Sequence, residues 1–149
     1  MATYSFKNVQ CSITGPGGSI PLGQGAGEAE EGITTAMDED KTSTSTGADG
    51  AIMHSLHAGQ TGTITVRLLK TSPTNALLNQ LYQVQQASSA LWGQNQMVVS
   101  DNARGDVISG AQMAFVKHPD VVYSKDGNFN EWVFRGLVVM LLGTGSPAA

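Results

Sequence analysis

The sequence predicts a mainly β protein: a small antiparallel β-barrel or sandwich with one flanking α-helix and a long extended loop or hairpin arm. Several segments alternate apolar and polar residues with the period of a strand. One segment, about residues 73–88, has the apolar spacing of a helix. The stretch 37–50 is polar after its first residue and long for a loop in a compact domain. A chain of 149 residues is expected to form a single domain, residues 1–149.

Alternation places strands along most of the chain. The stretch "TYSFKNVQCSI" predicts a first strand that starts with Tyr4 and Phe6 on one face, and "GITTAM" predicts a short strand. "GTITVRLLK" puts Ile64, Val66 and Leu68 on one face. "QMVVSD" and "SGAQMAFVKH" predict a pair of strands joined by "DNARGDV".

A further hairpin is predicted at Asp126-Gly127. This dipeptide lies between "VVYS" and the last apolar run, and the turn that suits such a hairpin needs residues with positive φ.

The helix is predicted after "TSPT". Ser72 can serve as its N-cap, and Pro73 fits the first helical position, where its missing N–H costs nothing. Leu77, Leu81 and Val84 fall on one stripe, with Leu78 and Tyr82 beside it. The opposite face is rich in Asn and Gln and uncharged, so it either meets solvent or contacts another subunit or a surrounding shell.

The closing stretch "EWVFRGLVVMLLGTG" is the most concentrated apolar run. It is too short for a membrane-spanning helix and rich in valine, which favours a strand. Alternation sends Leu137, Val139 and Leu141 to the face opposite Trp132 and Phe134. Because both faces are apolar from Leu137 onward, the helix or a neighbouring subunit is expected to cover one of them. Residues 143–149 are predicted to form a short tail.

Composition disfavours several functions. Charged residues make up only 13% of the chain and the net charge is −4, which argues against sequence-independent nucleic-acid binding. Cys11 is the single cysteine, so it cannot form a disulfide within the chain. The first ten residues lack the pattern of a secretory signal, so none is expected.

The short motifs do not assemble into a catalytic site. His54 and His57 in a strand would point to opposite faces, and "GQGAGEAEEG" lacks the residues of a nucleotide-binding loop. "RGD" at 104–106 is expected to be a turn, and Cys11 a buried thiol. The acidic cluster 38–40 lacks the further carboxylates of a calcium loop. We therefore expect no enzyme activity, no cofactor and no metal.

Residues 47–83 resemble the tail tube proteins of contractile-tailed bacteriophages. The matching pattern is the D-G at 49–50, the M-x-S at 53–55, the G-x-I-T-V at 62–66 and the T-S-P-T-N-A-x-L at 71–78. "YSFKNVQCSITGP" and "EWVFRGLVV" are similar too, so the resemblance covers most of the chain. Within it, the candidate structural residues of the helix junction are Ser72, Pro73 and Asn75.

The resemblance implies a fold similar to the Hcp proteins of type VI secretion and a structural role in the virion. Such subunits form hexameric rings that stack into a tube, assembled in the bacterial host cytoplasm. The implied partners are other copies of the chain, the tail sheath, the tape-measure protein, and baseplate and tube-terminating proteins; DNA would pass through the lumen without specific binding.

The resemblance also implies a loop that reaches the neighbouring ring, and the stretch 37–50 is the candidate for this inter-ring arm. Its candidate contact residues are charged: Asp38, Glu39, Asp40, Lys41 and Asp49.

Three alternatives remain open. The chain could be a tube, tube-terminator or baseplate tube component of a related injection system, such as a bacteriocin or a type VI-like device. It could instead be a small nucleic-acid-binding barrel, or a hydrolase that uses His54 or His57. The negative charge argues against the second, and the missing catalytic partners argue against the third.

Overall fold

A computed structural model describes residues 3–23 and 28–144. Over these residues the chain forms a short 3₁₀ turn at Phe6–Asn8, nine strands and one helix. The strands are β1 (Val9–Gly15), β2 (Gly18–Pro21), β3 (Glu28–Met37), β4 (Thr42–Thr46), β5 (Ile52–Leu56), β6 (Thr61–Leu69), β7 (Asn95–Asp101), β8 (Asp106–Phe115) and β9 (Phe129–Leu141). The helix α1 spans Thr74–Gln86.

Seven of these strands form one antiparallel sheet in the order β2-β1-β7-β8-β9-β6-β3. The strands β4 and β5 form a separate two-stranded hairpin. The predicted class, mainly β and antiparallel with one flanking helix, is therefore confirmed. The sheet is not closed into a barrel, because β2 and β3 lie at opposite ends of the strand order and do not pair.

One hydrophobic core lies between one face of the sheet and α1. As predicted, Ile64, Val66 and Leu68 share a face of β6, and all three are buried. Leu78 and Leu81 of α1 belong to the same core. The other core members come from the inward positions of the sheet and from Leu22: Val9, Cys11, Ile13, Ile20, Met97, Val99, Met113, Phe115, Trp132, Phe134 and Val138.

The start of the helix differs slightly from the prediction. Pro73, not Ser72, is the N-cap residue, and its side chain makes no capping hydrogen bond. The Ser72 hydroxyl instead accepts a hydrogen bond from the Thr74 N–H at 3.3 Å, so it still satisfies a donor of the first turn.

The predicted apolar stripe of the helix is right for Leu81, with Leu78 beside it, and wrong for Leu77 and Val84. The buried face is formed by Thr74, Leu78, Leu81 and Gln85, whereas Leu77 and Val84 are among the exposed residues. A pair of buried amides explains which face of the helix is buried. The fully buried Gln85 amide and the buried Asn95 amide bind each other through hydrogen bonds of 2.6 and 2.8 Å.

This amide pair connects three parts of the fold. Gln85 Nε2 also donates to the Pro16 carbonyl at 3.3 Å, and Asn95 Nδ2 donates to the Met113 carbonyl at 3.0 Å. The helix is thereby bound to the β1–β2 turn and to the inner strands β7 and β8. A buried amide is stable in this position only because its partner satisfies it.

Replacing Gln85 with Ala should lower the free energy of unfolding by about 1–3 kcal/mol, because the Asn95 amide loses its partner in the core. The matched control is Gln86→Ala, since Gln86 donates at 2.6 Å to Gln83 on the exposed side of the same helix. That variant should stay within about 0.5 kcal/mol of the parent. Urea unfolding measures both, and equal losses would contradict the structural role of the pair.

Two strand predictions need correction. The first strand begins at Val9 and not at Tyr4, because the Ser5 hydroxyl accepts the Lys7 N–H at 3.2 Å and holds the 3₁₀ turn. The predicted hairpin at Asp126-Gly127 is also wrong, since β8 ends at Phe115 and residues 116–128 form a loop. At the start of β9, from Phe129 to Trp132, β6 pairs with one edge, and the other edge has no partner strand among the described residues because β8 ends at Phe115, opposite Phe134.

Other predictions are confirmed. The strands β7 and β8 pair as expected, and the RGD sequence lies in the β7–β8 connection, where Gly105 adopts a φ of +80°. Cys11 is buried. The "GITTAM" strand is part of the longer β3. The glycine-rich stretch at 24–27 and the tail from 145 onward lie outside the described residues.

Candidate assembly surfaces

The helix-free face of the sheet carries exposed apolar side chains. On β9 the side chains of Trp132, Phe134 and Val138 enter the core, whereas Val139 is 52% and Leu141 is 63% exposed. Since α1 packs against the core side, it does not cover these outward residues. Of the two expected covers for this strand, the helix is therefore excluded within one subunit.

The strand register gathers these residues into a cluster, which we call the apolar patch. Val107 on β8 pairs with Leu141, so the two side chains lie next to each other on one face. The register aligns Val98 on β7 with Ser109, and Ser109 with Val139. The members of the patch are all exposed: Val98, Val107, Leu137, Val139 and Leu141. Contiguous apolar surfaces of this kind are typical of interaction sites on proteins.

The β9 strand also offers backbone groups at the patch. Thr61, the first residue of β6, pairs with Leu137, so β9 extends beyond the start of its neighbour. The last described backbone bond on that side is donated by Val138 N–H to the Gln60 carbonyl at 3.0 Å. From residue 139 onward, this edge of β9 is a strand edge that a further strand could pair with.

The middle of this face carries Thr63, Thr65 and two arginines, and both arginines are paired. Arg67 forms a 3.0 Å ion pair with Glu131 and donates to Thr34 at 3.1 Å. Arg135 forms a 3.1 Å ion pair with Asp38. Neither arginine presents a bare positive charge, which limits attraction to phosphate groups.

The hairpin β4–β5 is the second exposed surface. Its five residue pairs run from Thr42↔Leu56 to Thr46↔Ile52. Leu56 is 81% exposed, and Ile52 and Met53 are exposed too. A two-stranded hairpin of this length is marginally stable by itself in water, so it is expected to gain order by packing against a partner.

Local chemistry explains why the hairpin turns where it does. The Gly47 N–H donates to the Ala51 carbonyl at 2.7 Å, and Gly50 adopts a φ of +87°. Asp49 Oδ1 accepts the Ala51 N–H at 3.1 Å, so this candidate contact residue stabilises the tip of the hairpin.

The base of the hairpin is fixed by other candidate contact residues. Asp38 accepts the Thr63 hydroxyl at 2.6 Å in addition to its pair with Arg135. Lys41 Nζ donates to the Gly59 carbonyl at 3.3 Å. Gly59 also lies against the Glu39 carboxylate, since a Cβ there would come within 2.8 Å of it.

These contacts attach the hairpin to β6 and β9. The remaining candidate, Asp40, is exposed. The role of all five residues between rings stays a prediction.

The helix junction is held by Asn75. Its Nδ2 donates to the carbonyls of Leu69 and Ser72 at 2.9 and 3.2 Å, and its Oδ1 accepts the Trp132 indole N–H at 3.0 Å. One side chain therefore joins the end of β6, the first turn of α1 and the core tryptophan of β9. Pro73 lies at the cap position beside it.

The histidines do not form a site. Thr44 Oγ1 lies 3.0 Å from Nδ1 of His54 within the hairpin, and the His57 N–H donates to the Lys41 carbonyl at 2.8 Å. Over residues 3–23 and 28–144, no three His, Cys, Asp or Glu side chains are grouped so that they could hold a metal ion. No helix in the same ranges has the length and hydropathy to span a membrane.

The loop at residues 116–128 forms a third surface, which the sequence pattern did not predict. Lys70 holds it by donating from Nζ to the Val122 carbonyl and by lying 4.7 Å from the Tyr123 ring centroid. His118 stacks 4.2 Å from the Tyr82 ring centroid, and its Nε2 lies 2.8 Å from Asn79 Oδ1. The sequence signal was the apolar "VVY" inside a polar stretch, which alternation misassigned to a strand.

Comparison with known families identifies the kind of protein that carries these surfaces. The sequence model of the family described as "Bacteriophage PhiTE tail tube protein" matches residues 1–143. The chain belongs to this phage tail tube family. It is a structural tail tube subunit, as the resemblance of residues 47–83 implied. No curated protein matches the chain.

Solved structures with the same fold come from related particles. A chain of the sheath-tube complex of an extracellular contractile injection system, PVC, is 16% identical with a TM-score of 0.53, covering 94% of this chain and 92% of that one. A chain of the PVC sheath/tube terminator is 15% identical with a TM-score of 0.52, covering 95% and 98%. A chain from the tail of an empty GTA particle is 13% identical with a TM-score of 0.58, covering 94% and 98%.

Proposed function

We propose that this tail tube subunit forms hexameric rings that stack into a hollow tube, the conduit for DNA ejection. One observation carries the proposal: a subunit of a tail tube family leaves uncovered an apolar patch, a strand edge and a hairpin with exposed apolar side chains. Surfaces of this kind are stable in water only when another chain covers them. The GTA tail with the same fold is described with C6 symmetry, which supports six subunits per ring.

Lateral contacts form through the apolar patch. A neighbouring subunit in the same ring covers Leu137, Val139 and Leu141 and pairs with the adjoining strand edge of β9. The hairpin, which includes the stretch 37–50 predicted as the arm, makes the contact between rings. The tube acts by self-assembly and not by catalysis.

The lumen conducts DNA without binding it. The chain has a net charge of −4, so like charge disfavours phosphate contacts. The pairing of Arg67 and Arg135 with carboxylates acts in the same direction. Before ejection, the lumen holds the tape-measure protein.

Further partners follow from the place of a tube in a tail. A sheath surrounds the tube, and terminator and baseplate proteins bind its two ends; the solved sheath-tube and sheath/tube terminator complexes with this fold support this arrangement. Subunits assemble in the host cytoplasm and remain in the virion tail.

A second candidate is a tube-terminating or tube component of a related injection system. The PVC sheath/tube terminator and the cap of the anti-feeding prophage share the fold, with TM-scores of 0.52 and 0.53. The match of residues 1–143 to a tail tube family favours the tube itself. A terminator would form single rings and would not polymerise.

Negative-stain electron microscopy of the purified chain at increasing concentration tests the proposal. We expect rings with six-fold symmetry and hollow tubes whose length grows with concentration. Monomers at all concentrations, together with tight DNA binding, would overturn it. Single rings that never stack would favour the terminator.

A further inference from the structure

The hairpin and the loop 116–128 lie at opposite ends of the sheet. The hairpin connects the end of β3 at Met37 to the start of β6 at Thr61. The loop contacts the other end of β6, because the Lys70 N–H donates to the Asn128 carbonyl at 3.1 Å and Leu69 pairs with Phe129. The strand β6 separates the two ends by about 26 Å, at roughly 3.3 Å per residue.

The loop end presents an apolar surface of its own. Tyr123 is 88% exposed and Val121 and Val122 are 53% exposed. Leu69 and Phe129, which pair across β6 and β9, are exposed beside them. We call these five residues the loop surface.

Two clefts flank the loop and can accept side chains. One, of about 420 Å³, lies between the start of α1 and the loop, lined by Ala76, Pro119, Val121 and Trp132 among others. The other, of 350 Å³, lies on the side of Val122 and Phe129. Each volume exceeds that of a leucine or methionine side chain.

Polar groups in both clefts are incompletely satisfied. The side-chain oxygens of Asn128 and Asn130 are shielded from solvent and accept no hydrogen bond from the described residues. Asn130 lines the first cleft and Asn128 the second. Both clefts therefore contain an asparagine side chain beside their apolar lining.

The charges of the two ends are complementary. The segment 38–57 carries four carboxylates, Asp38, Glu39, Asp40 and Asp49, against one lysine, Lys41. The opposite end carries three lysines, Lys70, Lys117 and Lys125, against the two aspartates of the loop, Asp120 and Asp126, while Glu131 in the second cleft is paired with Arg67. Opposite net charge favours the approach of one end to the other and disfavours contact between like ends.

We propose that the β4–β5 hairpin of one copy docks on the loop surface of a second copy, with Ile52 and Leu56 entering the clefts beside the loop. Ile52 and Leu56 lie on the same hairpin face, four residues apart, because strand side chains alternate. This docking rests on the proposed function and adds to it the acceptor site for the arm.

The polarity of the tube follows from this contact. A surface that binds a different surface of an identical molecule makes a head-to-tail contact, and between rings stacked on one axis such a contact repeats without closing. Every ring then presents hairpins at one end and loop surfaces at the other, so the tube has a direction and can add rings at both ends.

The experiment uses Val122→Asp and Tyr123→Asp together in the full chain, since both side chains are exposed and their loss leaves the core intact. We expect an unchanged melting temperature, normal rings by microscopy and at least about a tenfold loss of sedimenting tubes, which corresponds to about 1.4 kcal/mol per contact. Gln80→Asp is the matched control, because it adds a carboxylate on the exposed side of α1; this variant should form tubes normally.

Cross-linking tests the pairing itself. Leu56→Cys combined with Val122→Cys should give a ladder of disulfide-linked copies in assembled tubes, since the native Cys11 is buried. Tubes that form normally with Asp at 122 and 123, or a ladder that is absent from intact tubes, would overturn the docking. If the parent chain forms no rings or tubes at all, the proposed function fails instead.

Discussion

Val139→Asp should give a folded subunit that no longer forms rings. Val139 lies on the helix-free face with a side chain 52% exposed, so a carboxylate there meets water in the free subunit. In the ring the same carboxylate would be buried against the neighbour without a partner, which costs several kcal/mol. Size-exclusion chromatography with light scattering should show monomers with the parent's circular dichroism and melting temperature.

The control for this variant is Gln96→Asp. Gln96 is an exposed residue of β7 that pairs with Thr14, so the substitution adds the same charge to the same sheet outside the apolar patch. It should leave ring formation intact. If Val139→Asp unfolds the subunit, the patch is covered within the chain; if its rings form normally, the lateral interface lies elsewhere.

Removing the hairpin should separate ring formation from stacking. Replacing residues 42–56 with a short Asn-Gly link is geometrically feasible, because the His57 N–H already donates to the Lys41 carbonyl at 2.8 Å. The hairpin forms its own two-stranded sheet, so its removal should change the melting temperature little. Microscopy should show rings of normal diameter and no tubes.

A milder variant controls for the loss of chain length. Leu56→Ser keeps the register of the hairpin and removes one exposed apolar side chain, and it should shorten the tubes without abolishing them. Tubes of normal length after removal of residues 42–56 would show that the hairpin is not the contact between rings. Loss of the rings as well would assign the hairpin to the lateral interface.

Much of the fold follows from local pattern. The alternation of Ile64, Val66 and Leu68 predicted the buried face of β6, because a strand sends successive side chains to opposite faces. The helix after Pro73 and the β7–β8 pair were predicted for similar reasons. The polar stretch after Met37 predicted an arm, and the structure places most of it in a hairpin that continues to Leu56.

The errors concern features that depend on a partner distant in sequence. Gln85 is buried because Asn95, on another element, satisfies its amide, and helical spacing alone does not reveal such a pair. The "VVYS" stretch has strand-like residues, yet it lies in a loop, where Lys70 donates to the Val122 carbonyl and lies over the Tyr123 ring.

The sequence by itself determined the strand alternation, the existence of the helix and, through its motifs, the tail tube family. It also determined that the closing strand is apolar on both faces. Only the tertiary structure decided which of those faces is left uncovered, because that depends on the side of the sheet against which α1 packs. It also placed the hairpin and the loop 116–128 at opposite ends of β6, a relation set by strand order and pairing rather than by local sequence.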